Sequence, residues 1–519
     1  MVIDGADVSL PPAQRRPHTG KSLERAFDQI ADTWFELGKE MAREPSARYA
    51  HTPACAPNVS DFGLMLAWTK LIDSWSTEPA KILVVCEDPW VFRHLAARPG
   101  VEAGAIPGRW IGEIKLAVRG YAARAKAAFR VAGAAVRLAG TQMSVQPKRP
   151  ALMVYGHPRS TPRGLDGYFG DLMMQTHDLV RVLHVDCPAP RAEELSADGR
   201  TLSLHAWGHP LFAITLPVRK WRPTVSNKLR PYRWLLRRAS VREGGSGQAA
   251  MIAWQRHCQT RWLQATEPSV VLWPWENHSW ERCFVRSARQ NKIATVGYQH
   301  SVIGPQMLNY SPATNVDGLE SVPDKVLCTG PATYRKLAEW GVPEARMSVG
   351  GTFRVPESSD VVFRADAPVF VALPFDSRVA AEMVAAISRL SDRQFLVKPH
   401  PMTPYEFQPA PNVELTTKPL TDHKAVSAVF YAATTVGLEA AVFGLPTLRF
   451  RPSDRVALDI MPAGISVSAT DGDGLAEALA NLKKTDLVPR EDVFTKVDVG
   501  LWQQALTGDC RENAERSEI

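Results

Sequence analysis

The sequence has no uninterrupted apolar run approaching the ~20 residues that a helix needs to cross a bilayer. Its first residues show no charged segment followed by an apolar one, so we expect no secretion signal. The seven cysteines are odd in number, scattered, and never spaced as Cys-x-x-Cys. Neither a disulfide framework nor a structural zinc site is expected from this pattern, and a reducing cytoplasm suits it better.

Length and composition indicate a globular protein with more than one core. The chain has 519 residues, of which 45% are hydrophobic and 22% charged. One hydrophobic core rarely serves so long a chain, so we expect two domains.

The positive charge is concentrated in two segments. The net charge is +7. Arg109–Arg137 holds seven basic residues against one acidic residue, Glu113, and Arg219–Arg238 holds eight basic residues and no acidic one. Because the rest of the chain is acidic overall, the basic residues indicate one surface that meets an anionic partner.

Short apolar strands separated by helical patterns run through the whole chain. In the first part they are Lys81–Glu87, Ala151–Tyr155, Leu179–Val185, Val270–Trp273, Ala294–Tyr298, Lys325–Thr329 and Met347–Gly351. In the second part they are Val369–Leu373, Gln394–Val397, Ala428–Tyr431 and Thr447–Phe450. Strands rich in Val, Ile and Leu that alternate with helices predict an α/β protein with parallel sheets.

A polar stretch at residues 356–368 divides the chain. We expect a first domain over residues 1–355, with a basic helical insertion at about 108–140 and a basic loop at 219–248. A second domain is expected over residues 366–490, followed by a terminal segment, 491–519. The first twenty residues look disordered, and Ser22–Met41 has the periodicity of a single helix.

Two basic side chains follow a buried strand of the second domain. The strand Gln394–Val397 stops at Lys398-Pro399-His400-Pro401, because proline cannot continue a ladder. Lys398 and His400 should therefore project from the carboxyl end of the strand, the edge where open α/β sheets bind ligands.

A hydroxyl pair and a carboxylate follow the next strand. Thr434 and Thr435 precede a helix that is expected to begin near Gly437, with Glu439 in its first turn. Hydroxyls and backbone N–H groups at a helix start form an anion site, and the Glu439 carboxylate can accept hydrogen bonds from a sugar hydroxyl. These residues together predict a site for the phosphate and ribose of a nucleotide-activated donor.

The first domain carries a second group of polar residues at strand ends. Strand Val270–Trp273 leads to Glu276 and Asn277, and strand Ala294–Tyr298 leads to Gln299, His300 and Ser301. Both loops leave the same edge of one sheet, so they should line one wall of a cleft. We expect His300 or Glu276 to act as a base, and Asn277, Gln299 and Ser301 to contact an acceptor. Glu281 is expected to form an ordinary surface pair.

The loop at 155–170 follows another strand of that sheet and is rich in turn residues. Its His157 and Arg159 are candidates for contact with the acceptor. Its Asp166 is a rival to His300 and Glu276 as the base.

The motifs K-P-H-P and T-T-x-G-L-E-A-x-x-x-G-L-P resemble the carboxyl-terminal domain of GT-B glycosyltransferases, above all those that make bacterial capsule, lipopolysaccharide and other surface glycans. Bacterial sialyltransferases, Kdo transferases and teichoic-acid glycerophosphotransferases carry a similar His-Pro motif and a paired hydroxyl motif. The segment E-N-x-x-W-E followed by G-x-Q-H is similar to a motif of surface-glycan transferases. The resemblance covers roughly residues 260–485. It implies two facing Rossmann-like domains and a last helix, Phe494–Leu506, that returns to the first domain.

The resemblance also implies a reaction. A sugar would pass from a nucleotide-activated donor on the second domain to a growing surface polysaccharide or lipid-linked glycan on the first. The His-Pro and Thr-Thr motifs favour a CMP-linked acidic sugar, with UDP and GDP sugars as alternatives. Sialyltransferases use an acid from the first domain, which keeps Asp166 open as the base, although no acidic-acidic-Gly motif is present. Lys398 and His400 would stabilise the departing phosphate.

No cofactor is expected, because the nucleotide-sugar is a substrate. Asp471-Gly472-Asp473 imitates the D-x-D metal motif, but it comes too late in the chain and directly before a helical pattern. A turn and helix cap is the better interpretation, and we predict catalysis without a metal ion.

The first basic segment has an apolar helical stripe, Ile111, Ile114, Val118, Tyr121, Ala125, Ala128 and Ala132. Two interpretations stay open: a solvated helix that packs this stripe on the core, or a helix on an anionic membrane surface at the inner face of the cytoplasmic membrane. Aromatics within the second basic segment also suit single-stranded nucleic acid, but no nucleic-acid partner is expected.

Three alternatives to the glycosyltransferase remain. A polyol-phosphate transferase or a nucleotide-sugar epimerase would use the same fold. A non-catalytic partner in glycan assembly would keep the fold without the chemistry.

Overall fold

The computed structural model describes residues 2–3, 16–144, 148–222, 225–486 and 488–508. The helices are α1 Thr19–Asp28, α2 Ala31–Met41, α3 Phe62–Trp75, α4 Pro89–Leu95, α5 Trp110–Leu138, α6 Leu172–Gln175, α7 Ala189–Leu195, α8 Pro210–Ala213, α9 Arg233–Arg242, α10 Gly247–Thr266, α11 Ser279–Gln290, α12 Pro331–Glu339, α13 Ser377–Ser388, α14 Val436–Val442, α15 Leu475–Ala480, α16 Arg490–Val493 and α17 Val499–Thr507. None of these helices combines the length and the apolarity that a membrane crossing requires.

The strands are β1 Val2–Ile3, β2 Val85–Cys86, β3 Ala151–Val154, β4 Val180–Leu183, β5 Thr201–Ser203, β6 Val270–Pro274, β7 Ala294–Gln299, β8 Lys325–Cys328, β9 Met347–Val349, β10 Val362–Phe363, β11 Val369–Ala372, β12 Phe395–Lys398, β13 Val413–Leu415, β14 Ala425–Val426, β15 Ala428–Tyr431, β16 Thr447–Phe450 and β17 Ser468–Thr470. Two of the four sheets are large, and the other two are two-stranded pairs, β1 with β2 and β10 with β14.

The first large sheet has seven parallel strands in the order β5-β4-β3-β6-β7-β8-β9. Every residue of β3, β4, β6 and β7 is buried, because helices cover both faces. In the order in which its strands follow along the chain, the sheet runs 3-2-1-4-5-6-7, which is the Rossmann pattern with one added strand.

The second large sheet repeats this arrangement. Its six parallel strands run β13-β12-β11-β15-β16-β17, the 3-2-1-4-5-6 order of a Rossmann domain. Two separate hydrophobic clusters, one around Val371 and Phe430 and the other around Phe370 and Tyr431, cover its two faces. The chain is therefore an α/β protein with two Rossmann-like domains, and the predicted fold class is confirmed.

The chain crosses between the two halves at both of its ends. Trp502 of α17 donates a 2.8 Å hydrogen bond from Nε1 to the carbonyl of Gly350. Its buried indole ring contacts Phe169, Tyr298 and Phe353 of the first domain. The last helix thus lies on the first domain, whereas the division at 355, 366 and 491 stays a prediction.

Near the amino terminus, ion pairs connect α1 to the second sheet. The buried Glu24 carboxylate accepts hydrogen bonds from Arg449 and Arg451, at the carboxyl end of β16. Gln306 of the first domain adds a bridge, because its side chain bonds both Asp28 and the backbone N–H of Asp459.

Several sequence-based expectations about local structure were wrong. The helix expected over Ser22–Met41 is two helices with a break at Gln29-Ile30. The break was not predicted because the apolar spacing continues across it. The strand expected at Lys81–Glu87 is only β2, which pairs with β1. Of the first twenty residues, expected to be disordered, 4–15 lie outside the described part of the chain.

The basic segments also differ from the expectation. Of the two interpretations left open for the stripe of α5, packing on the core holds only for its second half: Ile111, Ile114, Val118 and Tyr121 are exposed, whereas Ala128 is buried. The segment 219–248, expected to be a loop, contains α9. Its turn before α10 is fixed by a hydrogen bond from the Ser246 hydroxyl to the Glu243 carbonyl, 2.8 Å.

Candidate functional site

The loop after β6 is held by a buried carboxylate. Glu281 is fully buried, and its Oε2 accepts hydrogen bonds from the backbone N–H groups of Glu276, 2.9 Å, and Asn277, 2.8 Å. Asn277 has φ +54°, a left-handed conformation that asparagine tolerates better than most residues. The expectation of a surface pair for Glu281 was wrong, because this side chain fixes the turn that carries Glu276.

Two residues predicted to contact an acceptor are enclosed by the protein. Asn277 is fully buried, and its Nδ2 donates to the carbonyl of Asn309 at 2.7 Å and to Oδ1 of Asn315 at 3.0 Å. Gln299 is also fully buried and donates to the carbonyl of Ser301. Their amides are used up inside the domain, which corrects the acceptor-binding role given to Asn277 and Gln299. Ser301 is half-buried, and its Oγ lies 3.4 Å from the Tyr310 hydroxyl.

Glu276 lies between two imidazoles. Its Oε2 is 2.8 Å from Nε2 of His278, and its Oε1 is 3.6 Å from Nε2 of His300. Burial alone would raise the pKa of Glu276, but the hydrogen bond and charge of His278, together with His300, lower that pKa to about 2. A carboxylate this acidic is a poor proton acceptor, which argues against Glu276 as the base.

His300 remains the better base on this wall. Burial lowers its pKa to about 4, opposed by the Glu276 carboxylate and reinforced by Arg354. The imidazole is therefore neutral near pH 7 and can accept a proton, and the imidazolium that results would face the ionised Glu276. This is the relation of base to orienting carboxylate that catalytic triads use.

His278 completes this group and was missed from the sequence. The Glu276 carboxylate raises its pKa against the effect of burial. His278 also makes an edge contact with the buried ring of His51, 6.2 Å between centroids. Its place beside Glu276, in the segment E-N-H, was the only signal for it.

The loop at 155–170 brings a third imidazole to this wall. The ring of Tyr168 lies between His157, 5.5 Å between centroids, and His300, 5.0 Å. Burial and the charges of Arg354 and Arg159 lower the pKa of His157 to about 4, and His400 of the second domain contributes to that shift. His157 therefore lies within electrostatic reach of the opposite wall.

Asp166 is used inside its own loop. It is buried and accepts hydrogen bonds from the Ser160 hydroxyl, 3.1 Å, and from the backbone N–H groups of Tyr168, 2.9 Å, and Phe169, 3.3 Å. Arg181 lies 4.0 Å from its Oδ2. The carboxylate shapes the turn that presents Tyr168, and this arrangement favours His300 over Asp166 as the base.

On the second domain, Lys398 ends β12 and His400 follows two residues later. His400 Nδ1 lies 3.2 Å from the Thr403 hydroxyl and accepts a hydrogen bond from the Met402 N–H at 3.3 Å. Burial and Arg354 lower the pKa of His400. Burial and Arg159 lower the pKa of Lys398.

The hydroxyl pair lies at the start of α14. Thr434 Oγ1 accepts from the N–H of Val436 at 3.2 Å, and Thr435 bonds the Glu439 carboxylate. Ala433, just before them, has φ +46°, a strained conformation for alanine of the kind that clusters at ligand sites. Because α14 has only seven residues, the charge for an anion must come chiefly from side chains.

Glu439 faces those cations. Burial raises its pKa, and the charges of Arg354, Lys398 and Arg159 oppose that rise. Gly437 also has a packing role, because a Cβ there would lie 2.4 Å from the ring of Tyr431. The glycine lets α14 pack closely on β15.

Arg354 links the two walls. It follows the first sheet directly, and its guanidinium lies 5.5 Å from the ring centroid of Tyr168. Its charge lowers the pKa of His300 in the first domain and of His400 in the second. No sequence motif singled out Arg354, although a basic residue just after the last strand of a domain is well placed to face a cleft.

A cavity of about 560 Å³ lies between the two domains, and none of the candidate side chains above is among the described residues that line it. Phe27 and Leu64 line it from the first domain, and Phe375 and Leu458 from the second. The ring of Phe375 lies 6.5 Å from that of His400. The segment Asp471-Gly472-Asp473 lies at a helix start instead, where Asp471 Oδ1 accepts from the Gly474 N–H at 2.9 Å, as expected of a turn and cap.

Comparison with known proteins gives structural likeness alone. No protein-family model matches the chain, and no curated protein sequence matches it. A UDP-GlcNAc 2-epimerase of Methanocaldococcus jannaschii, solved with UDP-GlcNAc and UDP, is similar over 66% of this chain and 97% of its own, with 11% identity and a TM-score of 0.40.

Two further solved structures are similar to the same extent. The calicheamicin glycosyltransferase CalG4 has 15% identity and a TM-score of 0.38 over 72% of this chain and 98% of its own. Alr3699/HepE of Anabaena, in complex with UDP-glucose, has 9% identity and a TM-score of 0.34 over 71% and 95%. The strand order of the chain itself gives the two Rossmann-like domains.

Proposed function

We propose that the chain is a glycosyltransferase that moves a sugar from a nucleotide-activated donor to a cell-surface polysaccharide or a lipid-linked glycan. The observation that carries this proposal is the meeting of charges from both domains: Arg354 and Arg159 from the first with Lys398 and His400 from the second. Three permanent cations around an interdomain cleft suit the phosphates of a donor. Glu439 within the same group suits a ribose hydroxyl.

In the proposed mechanism, one group of residues activates the acceptor and another stabilises the leaving phosphate. His300 removes the proton of the acceptor hydroxyl, and Glu276 at 3.6 Å stabilises the imidazolium that forms. As the bond between sugar and phosphate breaks, negative charge grows on the phosphate. Lys398, His400 and Arg354 lie where they can stabilise that charge.

The donor proposal keeps the preference that the His-Pro and Thr-Thr motifs express: a CMP-linked acidic sugar first, UDP and GDP sugars next. A thermal-shift screen of CMP, UDP, GDP and CDP tests it. A ligand at 100 times its dissociation constant adds about 2.7 kcal/mol to the free energy of unfolding. The absence of a shift with every nucleotide would contradict the proposal.

Catalysis is tested with His300→Gln and His400→Gln in a transfer assay with the nucleotide-sugar so identified. We expect each to lower kcat by about a hundredfold or more, since general acid–base catalysis contributes about 10² to 10⁴. Full activity in both variants would refute the roles proposed. Epimerisation of the donor without any acceptor would point instead to an epimerase. Activity that persists after chelation of metals would support the metal-independent reaction.

We further propose that the enzyme works at the inner face of the cytoplasmic membrane, where its acceptor would lie. The two basic segments support this location, because anionic lipids attract clustered Lys and Arg. Sedimentation of the protein with the membrane fraction of lysed cells, and its release by high salt, would test it.

A further inference from the structure

Helix α5 presents three distinct faces. One face packs on the domain through Ala127, Val131, Ala135 and Leu138. A second face, about 120° away at 100° per residue, is apolar yet exposed to solvent. Its members are Ile111, Ile114, Val118, Tyr121, Phe129 and Val136. Ile111 is 84% exposed and Phe129 82% exposed, so the described part of the chain leaves both side chains largely uncovered. An exposed apolar patch of this kind marks an interaction surface.

The third face of α5 is basic and borders the apolar one. Lys115, Arg119 and Lys126 lie on it, and no described acidic side chain pairs with any of them. An exposed apolar stripe flanked by cations is the arrangement of a helix lying in the interface of an anionic bilayer.

A cavity opens beside this helix. It has a volume of about 670 Å³ and lies between α5, α9 and the residues Lys220, Arg222 and Val225. Ala117, Val225 and Leu236 give it an apolar wall. Its basic residues are Arg124, Lys220, Arg222, Arg233 and Arg237, and its single acidic residue is Glu113.

The cations of this cavity fall into two groups. Arg237 forms a bidentate pair with Glu113, and Arg124 donates to the backbone carbonyls of Pro217 and Gly245. Lys220, Arg222 and Arg233 have no carboxylate partner within the described residues. The cavity therefore carries an excess of positive charge that the described residues do not neutralise.

We propose that this cavity binds the phosphate headgroup of an anionic lipid while the exposed apolar stripe of α5 lies among the acyl chains. The volume of the cavity is in the range of small-molecule sites. The phosphate headgroup suits the basic cavity, and the acyl chains suit the exposed apolar stripe beside it. The inference deepens the proposed function, because it names the surface through which the enzyme would reach a membrane-bound acceptor.

Two other occupants fit less well. A second copy of the chain would bring the basic face of α5 against its own equivalent in a symmetric pair, which like charges oppose. Single-stranded nucleic acid would need rings free for stacking beside the cations of the cavity, and the three aromatic rings of the second basic segment are not free. Trp221 is buried, Tyr232 stacks on His94, and Trp234 is covered by arginine side chains.

Vesicle flotation tests the proposal on the full chain. We expect binding to phosphatidylcholine vesicles that contain phosphatidylglycerol, and none to phosphatidylcholine alone. The double substitution Lys220→Gln and Arg222→Gln should weaken binding about 30-fold, since each basic residue near an anionic surface contributes about fivefold. Ile111→Ser with Phe129→Ser should weaken it at least about tenfold, because both side chains lose apolar burial.

Lys483→Gln with Lys484→Gln is the matched charge control, because both lysines are exposed on the second domain, and it should bind as the wild type does. All four substituted side chains at the site are exposed, and unchanged thermal unfolding would show that the variants fold. Displacement of the protein from vesicles by millimolar pyrophosphate, with Ile111→Ser and Phe129→Ser binding normally, would overturn the lipid site in favour of a site for soluble anions.

Two further results decide the remaining questions. Concentration-dependent dimers that Ile111→Ser with Phe129→Ser abolishes, in a protein that binds no vesicles, would replace the lipid by a second copy. Nucleotide thermal shifts measured on the same protein separate the two proposals. Shifts without vesicle binding overturn only this inference, and vesicle binding without shifts overturns only the proposed donor site.

Discussion

Replacing Arg354 by glutamine should raise the pKa of His300. The guanidinium lies 5.5 Å from the centroid of Tyr168, and that ring lies 5.0 Å from the centroid of His300. The cation and the imidazole are therefore no more than about 10.5 Å apart. At an effective dielectric constant of about 20, two unit charges at that distance interact with about 1.5 kcal/mol, or about one pKa unit.

The sign of the effect follows from the role of His300. A general base works only in its neutral form, so activity falls as the pH drops through its pKa. In the wild type that pKa is about 4, and Arg354→Gln should move it to about 5. The acidic limb of kcat/KM against pH should shift upward by about one unit, because kcat/KM reports the free enzyme.

The same substitution should weaken donor binding. A hydrogen bond to a charged group contributes about 1.5–3 kcal/mol, so KM for the donor should rise by about 10- to 100-fold. Arg364→Gln is the matched control, since Arg364 lies ten residues on, is exposed, and pairs with Asp366. NMR titration of labelled histidines would follow the pKa of His300 directly. If the acidic limb of Arg354→Gln does not move upward and coincides with that of Arg364→Gln, the proposed effect of Arg354 on the pKa of His300 is refuted.

Three other substitutions test the fold around the site. Glu24→Gln should lower the free energy of unfolding by about 3 kcal/mol in a denaturant titration, because it leaves the buried Arg449 short of a carboxylate; no loss would mean that the ion pair contributes nothing net. Glu281 has its pKa raised to about 7 from 4.5 by burial, so the native state binds the extra proton and stability falls as the pH rises from about 4.5 to 7. Glu281→Gln keeps the acceptor oxygen. Its free energy of unfolding should exceed that of the wild type by up to about 3 kcal/mol at pH 8 and equal it below about pH 5. Equal melting temperatures at pH 8 would contradict the raised pKa. Gly437→Ala should lower the free energy of unfolding by about 1–3 kcal/mol, because the added methyl group clashes with Tyr431. A loss of nucleotide affinity without a loss of stability would instead support a role of Gly437 in donor binding.

Four of the six strands of the second sheet could be predicted to within one residue at either end, whereas β13 and β17 were missed. Ala428–Tyr431 and Thr447–Phe450 have the bounds that the sequence indicated. Every residue of both strands is buried, and Ser427 or Pro446 stands directly before each, so the local pattern and the final environment agree. Ser22–Met41 failed because an apolar stripe continues across a helix break without a change in spacing.

The candidate site could be predicted only where residues lie at strand ends. His300, His400 and Lys398 follow strands directly, and strand order alone places them at the ligand-binding edge. Asn277 and Gln299 also follow strands, yet their side chains turn inward to hold loops, which sequence position cannot distinguish. Arg354 was missed because its role depends on how the two domains face each other.

Glu276 and Glu281 show how neighbouring carboxylates acquire opposite properties. Both are close to His278, but only Glu276 bonds it directly, at 2.8 Å, and its pKa falls to about 2. Glu281 bonds backbone N–H groups instead, and burial raises its pKa to about 7. Groups whose pKa values are pushed apart in this way take separate roles, and here the ionised one faces the base.

The charges around His300 also predict an order of events. In the free protein, burial and Arg354 keep the pKa of His300 at about 4, which makes it a weak base. Phosphates bound at Arg354 would neutralise that cation and let the pKa rise toward neutrality, where a base is most effective. The acidic limb of kcat, which reports the donor-bound enzyme, should therefore lie about one pH unit above that of kcat/KM. Coincident limbs in the wild type would show that donor phosphates do not reach Arg354. The gap should close in Arg354→Gln, because the cation is then absent from both forms of the enzyme.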